Sequence, residues 1–114
     1  MHNVVVFENR KNRRYKTLAH VKIPHVLEGE NLLKDISITG CCVESTAYSG
    51  IIPETQYLMD IQPESASKIR GFQLSVETKW IRSTGYTGEV GFRIIASPKG
   101  RQFQRYVDYL AYRS

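Results

Sequence analysis

The sequence has few cysteines and no long apolar run, and each shortage excludes a class of protein. Its two cysteines, Cys41 and Cys42, are adjacent, so they cannot close a stabilising loop on each other. This argues against a secreted disulfide scaffold and favours a reducing cytoplasm. No stretch approaches the roughly 18 apolar residues of a membrane span, and Val4-Val5-Val6-Phe7 is too short for the apolar part of a signal peptide. With 114 residues, 41% of them hydrophobic, we expect one cytoplasmic domain with its own core.

Sequence motifs of catalysis and metal binding are also missing. The chain contains no Walker loop, no G-x-G-x-x-G and no G-x-S-x-G. The histidines His2, His20 and His25 show no metal-ligand spacing with the cysteines. A cysteine of the adjacent pair is better explained as a small residue packed in a strand than as a nucleophile. We therefore expect a protein that is not an enzyme and that holds no metal or cofactor.

The positive charge is concentrated in one short segment. The formal net charge is +5, and between Asn9 and Leu27 there are six basic residues and no acid. The remaining ten basic and eleven acidic residues nearly cancel. A local basic cluster suits a phosphate-bearing partner or an anionic membrane surface, although an ordinary basic arm in solvent is the plain alternative. The six residues are Arg10, Lys11, Arg13, Arg14, Lys16 and Lys22.

Most of the chain shows the alternation and turn residues typical of β-strands. The predicted strands are Lys16–Ile23, Leu32–Ile38, Cys41–Glu44, Tyr57–Gln62, Phe72–Ser83 and Glu89–Ala96. In the fifth of these, one face is predicted to carry Leu74, Val76, Thr78, Trp80 and Arg82. Because the connections are short, the strands should form an antiparallel barrel or sandwich.

The C-terminus changes from strand to helix periodicity. Ser97-Pro98 has the capping hydroxyl and first-turn proline of a helix start. An apolar stripe then recurs at three- and four-residue spacing: Phe103, Tyr106, Val107 and Leu110. We expect a helix over residues 98–113 that packs on the strands as a lid.

Two short motifs carry the chemistry of the sequence, and the first is the arginine pair Arg10 and Arg14. They are four residues apart and project to one side whether the segment is extended or helical. Guanidinium groups bind phosphate and the guanine O6/N7 edge in a bidentate manner, and they stack on base planes. Lys11 and Arg13 add charge beside them. Taken alone, the pair is better explained as a solvated tail.

The second motif is Asp35-Ile36-Ser37-Ile38-Thr39-Gly40. On a strand, Asp35 and Ser37 share one face, while Ile36 and Ile38 anchor the strand in the core. A carboxylate accepts well from the N1 and N2 hydrogens of guanine. Gly40 permits a turn and a close backbone approach to a ligand. Taken alone, Asp35 and Ser37 are better explained as turn or edge residues.

The two motifs occur in the order Arg10-x-x-x-Arg14 and then Asp35-x-Ser37-x-x-Gly40, with 20 residues between Arg14 and Asp35. In this order they resemble the signature of PilZ domains, which are bacterial receptors for cyclic di-GMP. The similarity continues in Lys79-Trp80-Ile81 and in Gly88-Glu89-Val90-Gly91-Phe92-Arg93-Ile94, which are similar to the paired late strands of PilZ barrels. It covers nearly the whole chain.

The resemblance implies a mainly β fold, a six-stranded antiparallel split barrel with a C-terminal α-helix. It divides the chain into a flexible arm over residues 1–15, a barrel over 16–97 and the helix over 98–113. The ligand it implies is cyclic di-GMP, with Arg10 and Arg14 clamping phosphate and guanine. Asp35 and Ser37 would bond to the guanine edge or ribose-phosphate, and Gly40 would shape the surface.

The resemblance further implies a switch whose ordered arm signals to a partner protein, in motility, adhesion or surface polysaccharide control. Trp80 is either a core residue or a stacking contact for the ligand. Asn9 stands where many family members have a further arginine that is associated with a second bound ligand. This departure favours a single ligand, although Lys11 and Arg13 could compensate, so both one and two bound ligands stay open.

Two other functions fit the same residues. One is a PilZ-like adaptor that binds proteins and no nucleotide. The other is a basic β-barrel that binds RNA or single-stranded DNA, for which an aromatic platform should be interleaved with the basic residues. Only Tyr15 lies inside the basic cluster, so no nucleic acid polymer is expected as a partner.

Overall fold

A computed structural model describes residues 13–97 and 100–114. In these residues it contains seven β-strands, one α-helix and two 3-10 turns. The strands are β1 (Tyr15–Lys16), β2 (His20–Ile23), β3 (Leu27–Ile36), β4 (Gly40–Ser45), β5 (Gln56–Gln62), β6 (Phe72–Ser83) and β7 (Gly88–Ala96). The helix is α1 (Gln102–Arg113), and the 3-10 turns are Tyr48–Gly50 and Ser65–Ser67.

The strands form one antiparallel sheet that closes on itself. Neighbours in the sheet run β1-β3-β2-β5-β6-β7-β4, and a further pairing of β3 with β4 closes the ring. Six strands therefore make a closed barrel, and β1 is an extra strand beside the end of β3. Closure leaves the ring without free edges, and inward residues fill its interior. The predicted six-stranded antiparallel barrel with a C-terminal helix is confirmed.

Two β-bulges decide which charged side chains reach the outer surface. The β3–β4 register skips Lys34, because Leu33 pairs with Val43 and Asp35 with Cys42. Lys34 and Asp35 therefore both avoid the core, although they are consecutive. The extra residue makes this stretch of β3 present two neighbouring polar side chains on one surface.

The second bulge lies in β6, where the β6–β7 register skips Lys79. Before it, Leu74, Val76 and Thr78 point inward and are buried. After it, Trp80 and Arg82 point outward. The prediction that all five share one face was wrong, because the extra residue shifts the alternation by one.

The β3–β4 connection also differs from the prediction. Strand β3 ends at Ile36, which is fully buried, whereas Ile38 is 39% exposed. Residues 37–39 form the turn into β4, closed by the Ser37 amide donating to the Gly40 carbonyl at 2.8 Å. Ile38 therefore does not anchor the strand in the core, because the chain has already left the strand geometry at that point.

The helix begins at Gln102, later than the predicted start at Pro98, which lies outside the described residues. Gly100 has φ +66, a left-handed conformation that an α-helix cannot contain. The predicted apolar stripe is confirmed, since Tyr106, Val107 and Leu110 are buried. The helix packs on the barrel near the start of β6, where the Phe72 and Tyr106 rings lie 6.0 Å apart.

Polar contacts join the helix to the β5–β6 connection and to β1. The Tyr106 hydroxyl donates to Glu64 Oε1 at 2.6 Å, and Arg113 Nη2 donates to the Lys16 carbonyl at 3.0 Å. Strand β1 already begins at Tyr15, the last residue of the predicted arm and one residue before the expected start of the barrel. Within residues 13–97 and 100–114, no helix is long and apolar enough to cross a membrane.

Candidate functional site

The arginine motif and the aspartate motif meet on the outer surface of the barrel. Arg14 Nη1 donates to Asp35 Oδ1 at 2.6 Å, although the two residues are 21 positions apart. Strand β1 makes this contact, because Lys16 pairs with Asp35 and Tyr15 with Ile36. Arg14 then lies immediately before the strand and reaches along it. Both side chains remain partly exposed, so the guanidinium keeps donors that a ligand can use.

Gly40 leaves the space that the Arg14 guanidinium occupies. A Cβ at Gly40 would lie 3.3 Å from Arg14 Nη2 and only 2.9 Å from the backbone oxygen of Phe92. A side chain here would therefore strain the β4–β7 pairing and displace the arginine. The sequence-predicted residues Arg14, Asp35 and Gly40 are thus brought together by the structure.

The Ser37 side chain stabilises the turn that leads to Gly40. Its hydroxyl accepts the Thr39 amide at 3.2 Å and the Gly40 amide at 3.1 Å. The side chain is buried, with 1% of its surface exposed. Ser37 therefore fixes the shape of the turn, and it holds Gly40 beside Arg14.

A row of directly paired residues runs across the surface from Asp35. Asp35 pairs with Cys42, Cys42 with Gly91, and Gly91 with Trp80. Paired residues on neighbouring strands present their side chains to the same face. Strands lie about 4.8 Å apart, so Asp35 and Gly91 are separated by roughly 10 Å of surface. This row, from Asp35 to Trp80, is called the binding face below.

Trp80 is a surface residue of the binding face and not part of the core. Its side chain is 43% exposed, and its indole lies flat over Gly91, where a Cβ would come within 2.1 Å of ring atom Cε2. Arg82 lies beside it, with its Cζ 5.4 Å from the ring centre. Gly91 therefore gives the indole a flat support, and the Arg82 guanidinium lies over the ring.

Cys42 forms the floor between Asp35 and Gly91. Its side chain is nearly covered, and burial raises the pKa of its thiol to about 11, with a further contribution from the Asp35 carboxylate. Burial raises the pKa of Cys41, which points into the core, to about 12. Both cysteines are buried in β4, as expected of small residues packed in a strand, and a raised thiol pKa disfavours the reactive thiolate.

A second charged cluster borders the binding face, and the sequence reasoning missed it. The buried carboxylate of Glu89 on β7 accepts hydrogen bonds from Lys34 of β3 and Arg82 of β6. These two bonds hold the pKa of Glu89 below its usual value and raise the pKa of Lys34 and of Arg82. The one signal in the sequence is the Trp80-x-Arg82 spacing, which puts both side chains on one face.

The remaining basic residues of the arginine motif fall at or beyond the limit of the described chain. The Arg13 guanidinium lies over the Tyr15 ring, with its Cζ 5.5 Å from the ring centre. Arg10 and Lys11 lie outside the described residues, so the structure provides no geometry for them.

A cleft of about 470 Å³ lies away from these residues, on the outer surface of β2 and β5. Its lining combines polar residues, among them His20, Lys22, Asp60 and Gln73, with a larger share of apolar surface. It contains none of the motif residues. In the described ranges, no three His, Cys, Asp or Glu side chains converge to hold a metal ion.

Comparison with solved structures identifies a protein with a similar fold. The chain is similar to the Bacillus subtilis inhibitor of motility (MotI/DgrA), with a TM-score of 0.73 and 19% identity over 91% of this chain. The match covers 50% of that protein, so this chain spans about half of its length. No family model and no curated protein matches the sequence. The fold is therefore PilZ-like, as the motifs had indicated.

Proposed function

We propose that this protein is a PilZ-like receptor that binds cyclic di-GMP on the binding face and passes the signal to a partner protein. The observation that carries the proposal is the position of the Arg14 guanidinium, between the Asp35 carboxylate and Gly40 on the outer barrel wall. Arg14 thus stands beside an acceptor suited to guanine and a surface without a side chain.

The chemistry of the binding face suits a planar base with an attached phosphodiester. Asp35 uses one oxygen for Arg14, and its remaining lone pairs can accept the N1 and N2 hydrogens of guanine. Arg14 has five donors and uses one of them for Asp35, so others are available to phosphate or to the O6/N7 edge. A guanine that takes the place of the Arg82 guanidinium over the Trp80 ring would add aromatic contact on the same face.

The roles of Gly40, Gly91 and Ser37 follow from their positions. Gly40 leaves room for the Arg14 guanidinium and Gly91 for the Trp80 indole, so that both side chains lie close to the wall. Ser37 acts by fixing the turn before Gly40. Arg10, Lys11 and Arg13 supply additional positive charge from the arm, which a dianionic dinucleotide would neutralise and order.

The readout of binding is expected to use the C-terminal helix as well as the arm. Arg14 is two residues before Lys16, whose carbonyl accepts from Arg113 at the end of α1. A ligand that orders Arg14 therefore also biases a segment in contact with the helix. The partner would recognise the ordered arm together with this end of α1, and a component of the motility machinery is one partner class to test.

Isothermal titration calorimetry with cyclic di-GMP tests the proposal. Ordering of the arm costs entropy, so we expect a micromolar dissociation constant, which corresponds to a binding free energy of about −8 kcal/mol. Arg14→Ala should weaken binding by about 1.5–3 kcal/mol, because a charged hydrogen bond is lost. Arg105→Ala, which removes the same charge from the exposed helix surface, is the matched control and should bind like the parent.

The controls separate this function from its alternatives. GMP and cyclic di-AMP should bind far more weakly than cyclic di-GMP. If the parent protein binds no cyclic di-GMP, the nucleotide assignment is wrong, and a protein-binding adaptor with the same fold becomes the better hypothesis. Tight binding of generic oligonucleotides that excess cyclic di-GMP does not displace would instead favour the nucleic-acid hypothesis.

A further inference from the structure

The Lys34–Glu89–Arg82 cluster has the features of a prearranged anion site beside the binding face. Glu89 has 6% of its side chain exposed, and each of its two oxygens accepts from one cation. A carboxylate so covered has to be compensated by charge, so both cations are retained beside it. Lys34 and Arg82 come from β3 and β6, which are separated by β4 and β7. Glu89 is therefore what makes the two cations converge.

The two cations are nevertheless open to solvent. Their side chains are 53% exposed for Lys34 and 64% exposed for Arg82. An ammonium has three donors and a guanidinium has five, and each cation donates one hydrogen bond to Glu89. The remaining donors of Lys34 and Arg82 are accessible from solvent, and Glu89 holds the two side chains in place. Less conformational entropy is therefore lost when they bind an anion.

Lys34 and Arg82 can present cationic donors to an anion. The carboxylates of Glu89 and of Glu44, which pairs with Glu89 on β4, offset their formal charge, so recognition of an anion would rest on the exposed donors of the two cations. The Arg82 guanidinium is 5.4 Å from the centre of the Trp80 ring. The sugar-phosphate of a nucleotide whose base stacks on Trp80 would therefore lie within reach of Arg82.

We propose that Lys34 and Arg82, held in place by Glu89, form a subsite for one phosphodiester of a cyclic dinucleotide, while the Arg14 arm receives the other. The inference rests on the proposed function and adds the residues that recognise the second half of the ligand. Glu89 is a positioning residue, because it acts through the two cations and does not itself face the phosphate.

Calorimetric titration of the full chain with cyclic di-GMP at fixed salt tests the subsite. Arg82→Gln and Lys34→Gln should each weaken binding about tenfold, through loss of a charged hydrogen bond. Each variant keeps one cation on Glu89, so the fold is retained, and amide spectra verify this. Arg105→Gln on α1 makes the same change in net charge and should stay within about twofold of the parent.

The outcomes distinguish the subsite from the proposed function. If the parent binds and Arg14→Ala loses affinity, but Arg82→Gln and Lys34→Gln behave like Arg105→Gln, the subsite is overturned and the proposed function stands. If the parent itself binds no cyclic di-GMP, both are overturned. If Arg82→Lys binds cyclic di-GMP more tightly than Arg82→Gln does, the positive charge at this position contributes to ligand binding.

Discussion

Two carboxylates on one surface of the barrel, Asp35 and Glu89, are held by cations in different ways. Asp35 has 28% of its side chain exposed and bonds to one guanidinium, whereas Glu89 has 6% exposed and bonds to two cations. An exposed ion pair exchanges partners at little cost, because water solvates both groups. A covered carboxylate depends on its partners. The difference indicates an adaptable contact at Asp35 and a fixed one at Glu89.

The largest effect should come from removing both partners of Glu89. The double variant Lys34→Ala/Arg82→Ala leaves a covered carboxylate without compensation, so its free energy of unfolding in urea should fall far more than that of Arg14→Ala. For Arg14→Ala the expected loss is at most about 1 kcal/mol, the usual value of an exposed ion pair. Adding Glu89→Gln to the double variant should recover much of the stability. Equal losses in the double variant and Arg14→Ala would show that the two carboxylates do not differ.

The next effect concerns the glycine that supports Trp80. Gly91→Ala would bring a Cβ to 2.1 Å from the indole, so the ring must move, at a cost of about 1–3 kcal/mol. Trp80 is the only tryptophan, so its fluorescence reports the displacement directly. In a Trp80→Ala background the same glycine substitution should cost little. A Gly91→Ala protein with the parent's emission spectrum and stability would contradict the arrangement of the indole over the backbone.

A smaller effect is expected from acid. The hydrogen bonds from Lys34 and Arg82 hold the pKa of Glu89 below its ordinary value of 4.5 in the folded protein. Glu89 therefore contributes stability that is present above that ordinary value and is lost as the pH falls through the lower folded pKa. Urea unfolding at a series of acidic pH values should show a shallower decline for Glu89→Gln than for the parent. Identical pH profiles would argue against the ionised, doubly paired carboxylate.

The smallest effect is expected in the reactivity of the Cys42 thiol, which forms the floor of the binding face. Because burial raises the pKa of Cys42 to about 11, a thiol reagent at about pH 8 should modify the folded protein slowly. In urea both cysteines should react at the rate of free thiols, which provides the control. Rapid modification of one thiol in the folded state would mean that the floor is open.

Much of the barrel was predictable because strand and turn signals are local. The alternation over Phe72–Ser83 and the apolar stripe of the helix depend only on neighbouring residues, and the structure contains both. The errors fall where an extra residue, a positive φ or an early turn changes the local geometry. The bulge at Lys79 turns Trp80 outward, and Gly100 delays the start of the helix. Neither feature has a repeating pattern that a sequence can display.

The candidate site likewise contains residues that the sequence could predict and residues that it could not. The spacing of Arg14, Asp35 and Gly40 could be recognised because the three residues form an ordered motif, and the fold brings them together. The position of Ser37 inside the turn could not be predicted, because a strand and a tight turn both accommodate D-x-S-x-x-G. Glu89 could not be identified from the chain either, since its partners lie 55 and 7 residues away on different strands.

The amino-acid sequence alone determined the class of fold, the one terminal helix and the residues of the two motifs, because these depend on period, composition and local spacing. The tertiary structure alone decided that Trp80 lies flat on Gly91, that Ile38 is exposed, and that one covered carboxylate gathers cations from two separated strands. Such contacts depend on barrel closure and on the register of each strand pair. Those are properties of the whole sheet, which no single segment encodes.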